Sequence, residues 1–384
     1  MNAITSPTAQ AGATDASWRD LLAGVGPKIE ANGRECDRSG AFVSENLDLL
    51  QSLGFFALGV PKDCGGGGLS YPEVAAALRA IARLDGSTAL TLSMHTHQVM
   101  VADWKRRHMG APTEGMLRKV AEEGLRIVSS GGSDWLPGSG EARKAEGGYR
   151  IYARKVFSSG APDGDVMNTS AVYDDPEAGP TVLHFALPLQ DANVQVLANW
   201  DTLGMRGTGS QDVEIDGVFV PDAAVIAARP PGKWHPLFHL ISMIAFPLVY
   251  SVYAGVADGA RETALSLARR KPSSDAATLT MVGELENAHA AMDLAHGAIV
   301  EAGAGDTPSP ETTHRVMTLR TLVGRSALEV GSRALEVAGG AGFYRAAGLE
   351  QRFRDLQAAR FHPLQERQQQ LYAARSVLGL SIDG

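Results

Sequence analysis

The sequence is short of cysteine and of positive charge. Its 384 residues contain only two cysteines, Cys36 and Cys64, whose spacing does not suit a metal site. Two such cysteines cannot form the disulfide framework of a small secreted domain, so we expect a cytoplasmic protein without a bound metal. The formal net charge is −8 and the isoelectric point is about 5.7. Because nucleic-acid binding relies on clustered lysine and arginine, this balance disfavours a nucleic-acid partner.

Sequence signals for secretion and membrane insertion are also missing or weak. Residues 1–15 have neither the basic start nor the apolar centre of a signal peptide, and we expect a disordered lead-in there. Leu240–Ala257 carries no charge over 18 residues, which is near the lower limit for a membrane span. Since it contains Pro247 and continues into an amphipathic stretch, we interpret it as a helix buried in a bundle.

The common nucleotide-binding motifs are absent as well. The glycines at 65–68 are not followed by lysine and a hydroxyl residue at P-loop spacing, so we interpret them as a flexible loop. No complete Gly-x-Gly-x-x-Gly stretch is present for a nicotinamide cofactor. A redox enzyme with this sequence would therefore not readily draw electrons from NAD(P)H by itself.

The spacing of apolar residues divides the chain into three parts. From Trp18 to about Arg118 they recur every three or four positions, which predicts helices. Between Leu125 and about Ala228 the period is two, which predicts strands at 149–157, 181–187, 194–197 and 213–220. The helical period then returns in four long segments: Ile241–Arg270, Ala277–Ala302, Pro310–Ala338 and Leu349–Leu378.

These patterns predict an α+β, mostly α, protein of three domains. The first is helical and spans 16–122, the second is a β barrel or sandwich at 123–229, and the third is an antiparallel four-helix bundle at 230–384. The stretch Trp200–Pro221 lies at the centre of this organisation. Its second half predicts two short strands separated by a turn at Asp216-Gly217. Its first half is a glycine-rich turn, with Arg206 and two hydroxyls, that can approach a flat ligand closely.

Two strings resemble a known family. Leu-Gly-Met-Arg-Gly-Thr-Gly-Ser at 203–210, followed by Val-Phe-Val-Pro at 218–221, closely resembles the middle domain of the acyl-CoA dehydrogenase superfamily of flavoproteins. Gly-Phe-Phe at 54–56 with Val-Pro at 60–61 resembles the helical N-terminal domain of the same superfamily. The resemblance implies a flavin between the β domain and the bundle, and bundles that associate into homodimers or homotetramers.

The resemblance also implies a set of flavin-binding residues. The family's first flavin segment ends in Gly-Ser-Asp and matches 128–134, which makes Ser129 or Ser130, and Ser133, donors to the flavin. The second segment matches 155–160, where Phe157 and Ser158 inherit the aromatic and hydroxyl roles with an uncertainty of one residue. Ser159 and Arg206 complete the predicted cofactor-binding set.

The departures from the family pattern concern its catalytic base. Acyl-CoA dehydrogenases remove a substrate proton with a glutamate, and counting from Arg354-Asp355 puts Pro363 at its commonest position. The alternative position falls at Ala245–Pro247, which also lacks an acid. Segments that contact the adenosine half of FAD in the family are altered at Arg270–Ser274 and His362–Leu364. The sequence therefore favours FMN as the flavin, with FAD as the alternative.

A histidine after the Arg-Asp pair, together with Ser-Ser-Gly in the β region, resembles one branch of this superfamily. That branch contains the two-component flavin monooxygenases, such as dibenzothiophene monooxygenase and the oxygenase component of p-hydroxyphenylacetate hydroxylase. They receive reduced FMN from a separate reductase and form a C4a-peroxyflavin. The resemblance implies that His362 serves the peroxide with help from Ser158. It also implies that His95 or His97, which point to different sides of a helix, faces the same cavity.

We therefore expect a flavin-dependent monooxygenase of a small apolar or aromatic substrate. A dehydrogenase that desaturates an acyl-CoA with FAD and a non-standard base is one alternative. A flavin-binding protein without catalysis is another, since a fold does not guarantee activity. We expect a separate flavin reductase as partner and no membrane or nucleic-acid partner.

Overall fold

The N-terminal part of the molecule is helical. The computed structural model describes residues 17–132, 134–270 and 275–383. The first helices are α1 (Trp18–Ser39), α2 (Ser44–Ser52), α3 (Tyr71–Leu84), α4 (Gly86–Met109) and α5 (Glu114–Arg118). Helix α1 begins after Ser17, whose hydroxyl and the Asp20 carboxylate form a reciprocal capping box. Helix α4 begins after Asp85, whose carboxylate accepts the Thr88 backbone N–H at 2.7 Å.

A single mixed sheet forms the middle of the chain. Its strands are β1 (Ile127–Ser129), β2 (Glu141–Ala145), β3 (Gly148–Ser158), β4 (Val166–Asp175), β5 (Gly179–Pro188), β6 (Val194–Val196), β7 (Gln211–Pro221) and β8 (Val225–Arg229). Their order is β6-β7-β3-β2-β4-β5-β8, and β1 pairs in parallel with β4. The sequence pattern did not predict β4, although it lies inside the sheet.

Strand β7 corrects the prediction of two short strands. It runs without interruption through Asp216-Gly217, and β3 pairs with it on both sides of that dipeptide. Ile151 faces Val218 and Tyr152 faces Asp216, so Gly217 is an extra residue between them. Gly217 has a φ of 83°, a backbone conformation that glycine adopts without strain. The turn-like dipeptide therefore forms a β-bulge in one strand.

Helices return after the sheet and form a bundle. They are α6 (Pro236–Ala268), α7 (Ala276–Ala304), α8 (Pro310–Ala338), α9 (Gly340–Phe343), α10 (Leu349–Leu356) and α11 (Glu366–Val377). Helix α6 packs against α3, α4, α7 and α8, which makes it the central helix of the molecule. It is long and apolar enough to cross a membrane, but 94% of its most apolar window is buried inside the fold. The predicted α+β, mostly α, fold is confirmed.

The predicted last helix is interrupted. After α10 the chain forms a short 3₁₀ turn at Gln357–Arg360 and an irregular segment before α11 begins at Glu366. Pro363 lies in that segment, and proline disfavours helical geometry in the residue before it. His362 is thus on an irregular segment between two helices and not on a continuous helix, as the sequence pattern suggested.

Candidate active site

A cavity of about 550 Å³ lies where α4, α6, the sheet and the segment after α10 meet. This volume is in the range of pockets that hold cofactors and small ligands. Helix α6 contributes an apolar wall: Leu237, Phe238, Ile241, Ala245, Phe246 and Val249. Polar side chains come from α4, from the strands and from the glycine-rich loop at residues 203–210. The cavity is therefore largely apolar, with polar groups placed at particular points.

The glycine-rich loop is held in place by direct contacts with the end of α10. Met205 has a φ of 53°, and its backbone N–H donates to the Asp355 carboxylate at 2.5 Å. Arg354 donates to the Leu203 carbonyl at 2.9 Å. A Cβ on Gly204 would lie 2.3 Å from the Arg354 carbonyl oxygen, so only glycine allows this approach. The Arg-Asp pair thus positions the loop.

Three hydroxyls from the loop and from the end of β3 form a connected group on the cavity wall. Ser159 Oγ and Thr208 Oγ1 each lie 2.7 Å from Ser210 Oγ. Beside them Phe157 is half exposed and meets Trp200 edge to face at a centroid distance of 5.9 Å. Apolar rings next to hydroxyl donors suit a flat, polar-edged ligand.

Ser158 does not face the cavity, which corrects its predicted role. It is fully buried, and its hydroxyl has no hydrogen-bond partner in the part of the chain that is described. Phe157 has a φ of 56°, and the β3–β7 register shifts between Lys155 and Ser158. This bulge changes the alternation of side chains, so that Ser159 lines the cavity instead.

The other predicted cofactor-binding residues have three different outcomes. Ser129 and Ser130 both line the cavity at the end of β1, and Ser130 Oγ lies 2.6 Å from Thr169 Oγ1. Ser133 lies outside the described residues. Arg206 does not line the cavity, because its side chain donates to the carbonyls of Asp37 and Thr202 at 2.8 and 3.1 Å. Arg206 therefore ties the loop to the end of α1, which corrects its predicted contact with the cofactor.

His362 lines the cavity and is paired with a residue that sequence patterns did not single out. Its Nε2 lies 2.5 Å from the hydroxyl of Tyr253, which comes from α6 and also lines the cavity. Burial, with the nearby charge of Arg320, lowers the pKa of His362 to about 3. The imidazole is thus neutral at neutral pH. Burial raises the pKa of Tyr253, so the phenol keeps its proton and donates a hydrogen bond to Nε2. Tyr253 lies in the uncharged stretch Leu240–Ala257 of α6, whose apolar pattern gives no sequence signal for this contact.

The two histidines of α4 have different surroundings. His95 is buried away from the cavity: its Nδ1 accepts the Ile127 N–H, and its Nε2 lies 3.1 Å from the Phe56 carbonyl. Both nitrogens are therefore used to hold α4 to neighbouring backbone, which corrects the prediction that His95 is catalytic. His97 lines the cavity, with Nδ1 on the Ser93 carbonyl and Nε2 2.7 Å from Gln98 Nε2.

The hydrogen bonds leave no free N–H on His97. A carbonyl can only accept, so His97 Nδ1 carries the proton and Nε2 accepts from the Gln98 amide. The Gln98 oxygen in turn accepts from Asn168 at 2.9 Å. Burial lowers the pKa of His97 to about 4, so it too is neutral at neutral pH. His97 thus belongs to a chain of hydrogen bonds that runs through Gln98 to Asn168. Of His97 and His362, which both line the cavity, His362 is the better placed to exchange a proton with a ligand.

No free carboxylate faces the cavity in the residues that the structure describes. Asp134 is the acid on the wall, and its Oδ2 lies 2.8 Å from Nζ of the buried Lys155. Although burial opposes it, the Lys155 ammonium holds the pKa of Asp134 below its ordinary value. The positions expected for a dehydrogenase base, Pro363 and Ala245–Phe246, do line the cavity without an acid. In the described ranges no group of histidine, cysteine and acidic side chains forms a metal site.

Comparisons with known proteins agree with this geometry. Residues 23–104 match the family model described as acyl-CoA dehydrogenase, N-terminal domain. An amino sugar nitrososynthase from Streptomyces peucetius is 30% identical, over 90% of this chain and 88% of that protein. A dibenzothiophene monooxygenase from Mycolicibacterium goodii is 29% identical, over 85% and 86% of the two chains. The solved structure of KijD3 with FMN and a dTDP-linked amino-keto sugar superposes with a TM-score of 0.86, at 28% identity and 96% and 95% coverage.

Fold and site together define a flavin-dependent oxidoreductase, and among the described residues of its cavity no acid stands at either position of a dehydrogenase base. The residues present fit a flavin, because hydroxyl donors and apolar rings meet at a loop that glycine allows to approach closely. The chain belongs to the acyl-CoA dehydrogenase superfamily, in its branch of flavin-dependent monooxygenases.

Proposed function

We propose that this enzyme uses reduced FMN, received from a separate reductase, to insert one oxygen atom into a small apolar or aromatic substrate. The observation that carries this proposal is the cavity wall at Ala245, Phe246 and Pro363, where neither position for a dehydrogenase base is acidic. FMN is supported by its presence in the KijD3 structure. Of the altered segment at Arg270–Ser274, residues 271–274 lie outside the described residues. We propose nitrogen or sulfur as the oxidised atom, as the names of the two relatives suggest.

The protein's own part in this reaction is to bind, to exclude water and to handle protons. Reduced flavin supplies the two electrons with which one atom of O₂ enters the substrate and the other leaves as water. We assign Ser130, Ser159 and Ser210 to hydrogen bonds with the flavin. The Thr208 hydroxyl donates to the Met205 carbonyl at 2.9 Å and holds Ser210 in place. The apolar wall from α6 excludes water from the reacting centre.

We propose that His362, together with Tyr253, gives the ligand the proton that the reaction requires and takes it back. With a pKa of about 3, His362 is a neutral donor and acceptor at neutral pH. The 2.5 Å contact to the Tyr253 hydroxyl lets a proton given up by one side chain be restored from the other.

The test is His362→Ala, with His314→Ala as a control on α8 away from the cavity. With a flavin reductase, FMN and indole as probe substrate, His362→Ala should lower product formation on the order of 100-fold, the scale of a lost acid–base group. FMN affinity, measured by fluorescence titration, should change by less than about threefold, since such a change is below 1 kcal/mol. Oxygen consumption should continue and appear as hydrogen peroxide. Anaerobic bleaching of the oxidised flavin by butyryl-CoA, without reductase, would instead show a dehydrogenase.

Assembly and location are part of the proposal. We propose a cytoplasmic homotetramer or homodimer that associates through the C-terminal bundle. Leu294 on α7 and Phe343 and Tyr344 near α9 support it, because these large side chains are 72% or more exposed. Light scattering that gives the mass of a monomer at micromolar concentration would contradict it. Domain boundaries near 122 and 229 are likewise proposals, supported by the changes from helices to strands and back.

A further inference from the structure

Lys105 is a charged residue of the cavity wall without a counter-ion in the described part of the chain. Among the described wall residues, Asp134 and Arg354 also carry a charge. Asp134 pairs with Lys155, and Arg354 donates to Asp37 at 2.6 Å. Lys105 makes no side-chain hydrogen bond or ion pair to a described residue, and burial lowers its pKa. Lys105 Nζ is not among the buried polar atoms that lack a partner, so it is not sealed from solvent, and an anion bound in the cavity can supply the opposite charge.

Lys105 and the glycine-rich loop lie at opposite ends of the cavity. The cavity face of α4 carries Leu90, Met94, Val101 and Lys105, at helical spacing. The loop contacts the beginning of α4, where Thr91 Oγ1 lies 3.4 Å from the Thr208 carbonyl. A helix rises about 1.5 Å per residue, so Lys105 lies roughly 21 Å further along the axis. The group that Lys105 serves is thus remote from the hydroxyls that we assign to the flavin.

Lys105 has cationic neighbours on its side of the cavity, although Asp134, which Lys155 neutralises, also acts on Arg229. His184 lines the cavity and accepts a hydrogen bond from Arg229 at 3.0 Å. Burial and then the Arg229 charge lower the pKa of His184 to about 4, and Lys105 is close enough to contribute. Arg229 does not line the cavity, because it donates to His184 and to the carbonyls of Trp135 and Leu136. Lys105 is thus the cation that favours an anion at this end. A lysine near a helix C-terminus also interacts favourably with the helix dipole, but that effect does not require a place on the cavity wall.

We infer that the substrate carries an anionic group, a carboxylate or a phosphate, and that Lys105 binds this group at the end of the cavity remote from the glycine-rich loop. The inference rests on the proposed function, because it assigns that end of the cavity to the substrate. The apolar wall from α6 would hold the body of the molecule between the anion and the reacting atom. Lys105 is then a specificity-determining residue that orients the substrate.

Binding measurements test this without turnover. Calorimetry on the full chain loaded with oxidised FMN would compare neutral indole with indole-3-acetate, which is a carboxylate, and with dTDP, which is a diphosphate. We expect one of the anions to bind more tightly than indole. Lys105→Met should weaken that anion between about tenfold and 100-fold, the range for a charge-assisted hydrogen bond. Lys105→Arg should retain most of the affinity, and indole should be unaffected.

A matched control removes the same charge elsewhere. Lys28→Met on the exposed face of α1 changes the net charge equally and should leave every affinity unchanged. The inference is overturned if neither anion binds more tightly than indole, or if Lys105→Met leaves the anion's affinity intact. It is also overturned if Lys105→Met weakens FMN instead, since Lys105 would then serve the cofactor. If the unaltered protein does not bind FMN, the proposed function itself is wrong.

Discussion

Substitution of His95 by phenylalanine tests whether this histidine stabilises the fold or takes part in catalysis. In the native protein the Ile127 N–H donates to His95 Nδ1 at 3.1 Å, and Nε2 donates to the Phe56 carbonyl at 3.1 Å. All three residues are buried. Phenylalanine keeps a ring of similar size but offers no nitrogen, so His95→Phe leaves one backbone donor and one backbone acceptor without partners.

The expected cost follows from those two groups. A buried polar group left without its hydrogen bond costs about 1–3 kcal/mol, so His95→Phe should lower the free energy of unfolding by about 2–6 kcal/mol. Urea unfolding followed by circular dichroism measures this loss. His362→Ala is the comparison. It leaves one buried group, the Tyr253 hydroxyl, without its partner, so it should cost about 1–3 kcal/mol of stability, about half the loss expected for His95→Phe, while it lowers turnover far more strongly. The reasoning is wrong if His95→Phe keeps its stability within about 0.5 kcal/mol, the usual effect of a surface substitution, and yet abolishes turnover.

Three further predictions concern a buried ion pair, a close backbone contact and a buried histidine. Lys155→Met leaves the Asp134 carboxylate buried without its cation, and should lower the free energy of unfolding by about 3–5 kcal/mol in urea titrations; a loss below 1 kcal/mol would contradict this. Gly204→Ala places a Cβ against the Arg354 carbonyl and should weaken FMN binding in fluorescence titrations; unchanged affinity would show that the loop can shift. His296 has its pKa lowered from 6.5 to about 4 by burial. Since the unfolded chain binds that proton first, stability falls as pH drops from 6.5 to 4, and His296→Gln should reduce this dependence; an equal dependence would refute it.

Some errors of the sequence-based prediction have a local geometric cause. Ser158 and Ser159 differ by one position, and the bulge at Phe157 decides which of them faces the cavity. Asp216-Gly217 is a typical turn sequence, but β3 pairs with both halves of β7 and turns it into a bulge. Such choices depend on pairing with a distant strand, which a local pattern does not contain.

The sequence by itself determined the spacing of apolar residues that indicates helices and strands, and it determined the glycine-rich loop at 203–210. It also showed that Pro363 stands where a dehydrogenase has its glutamate. Each of these depends on residue type and local spacing alone. The tertiary structure decided which side chains meet. Tyr253 reaches His362 across 109 residues. His95 is occupied by backbone groups from Phe56 and Ile127, both distant along the chain. These contacts form because burial of apolar surface brings remote helices and strands together, and polar groups removed from water must then find partners.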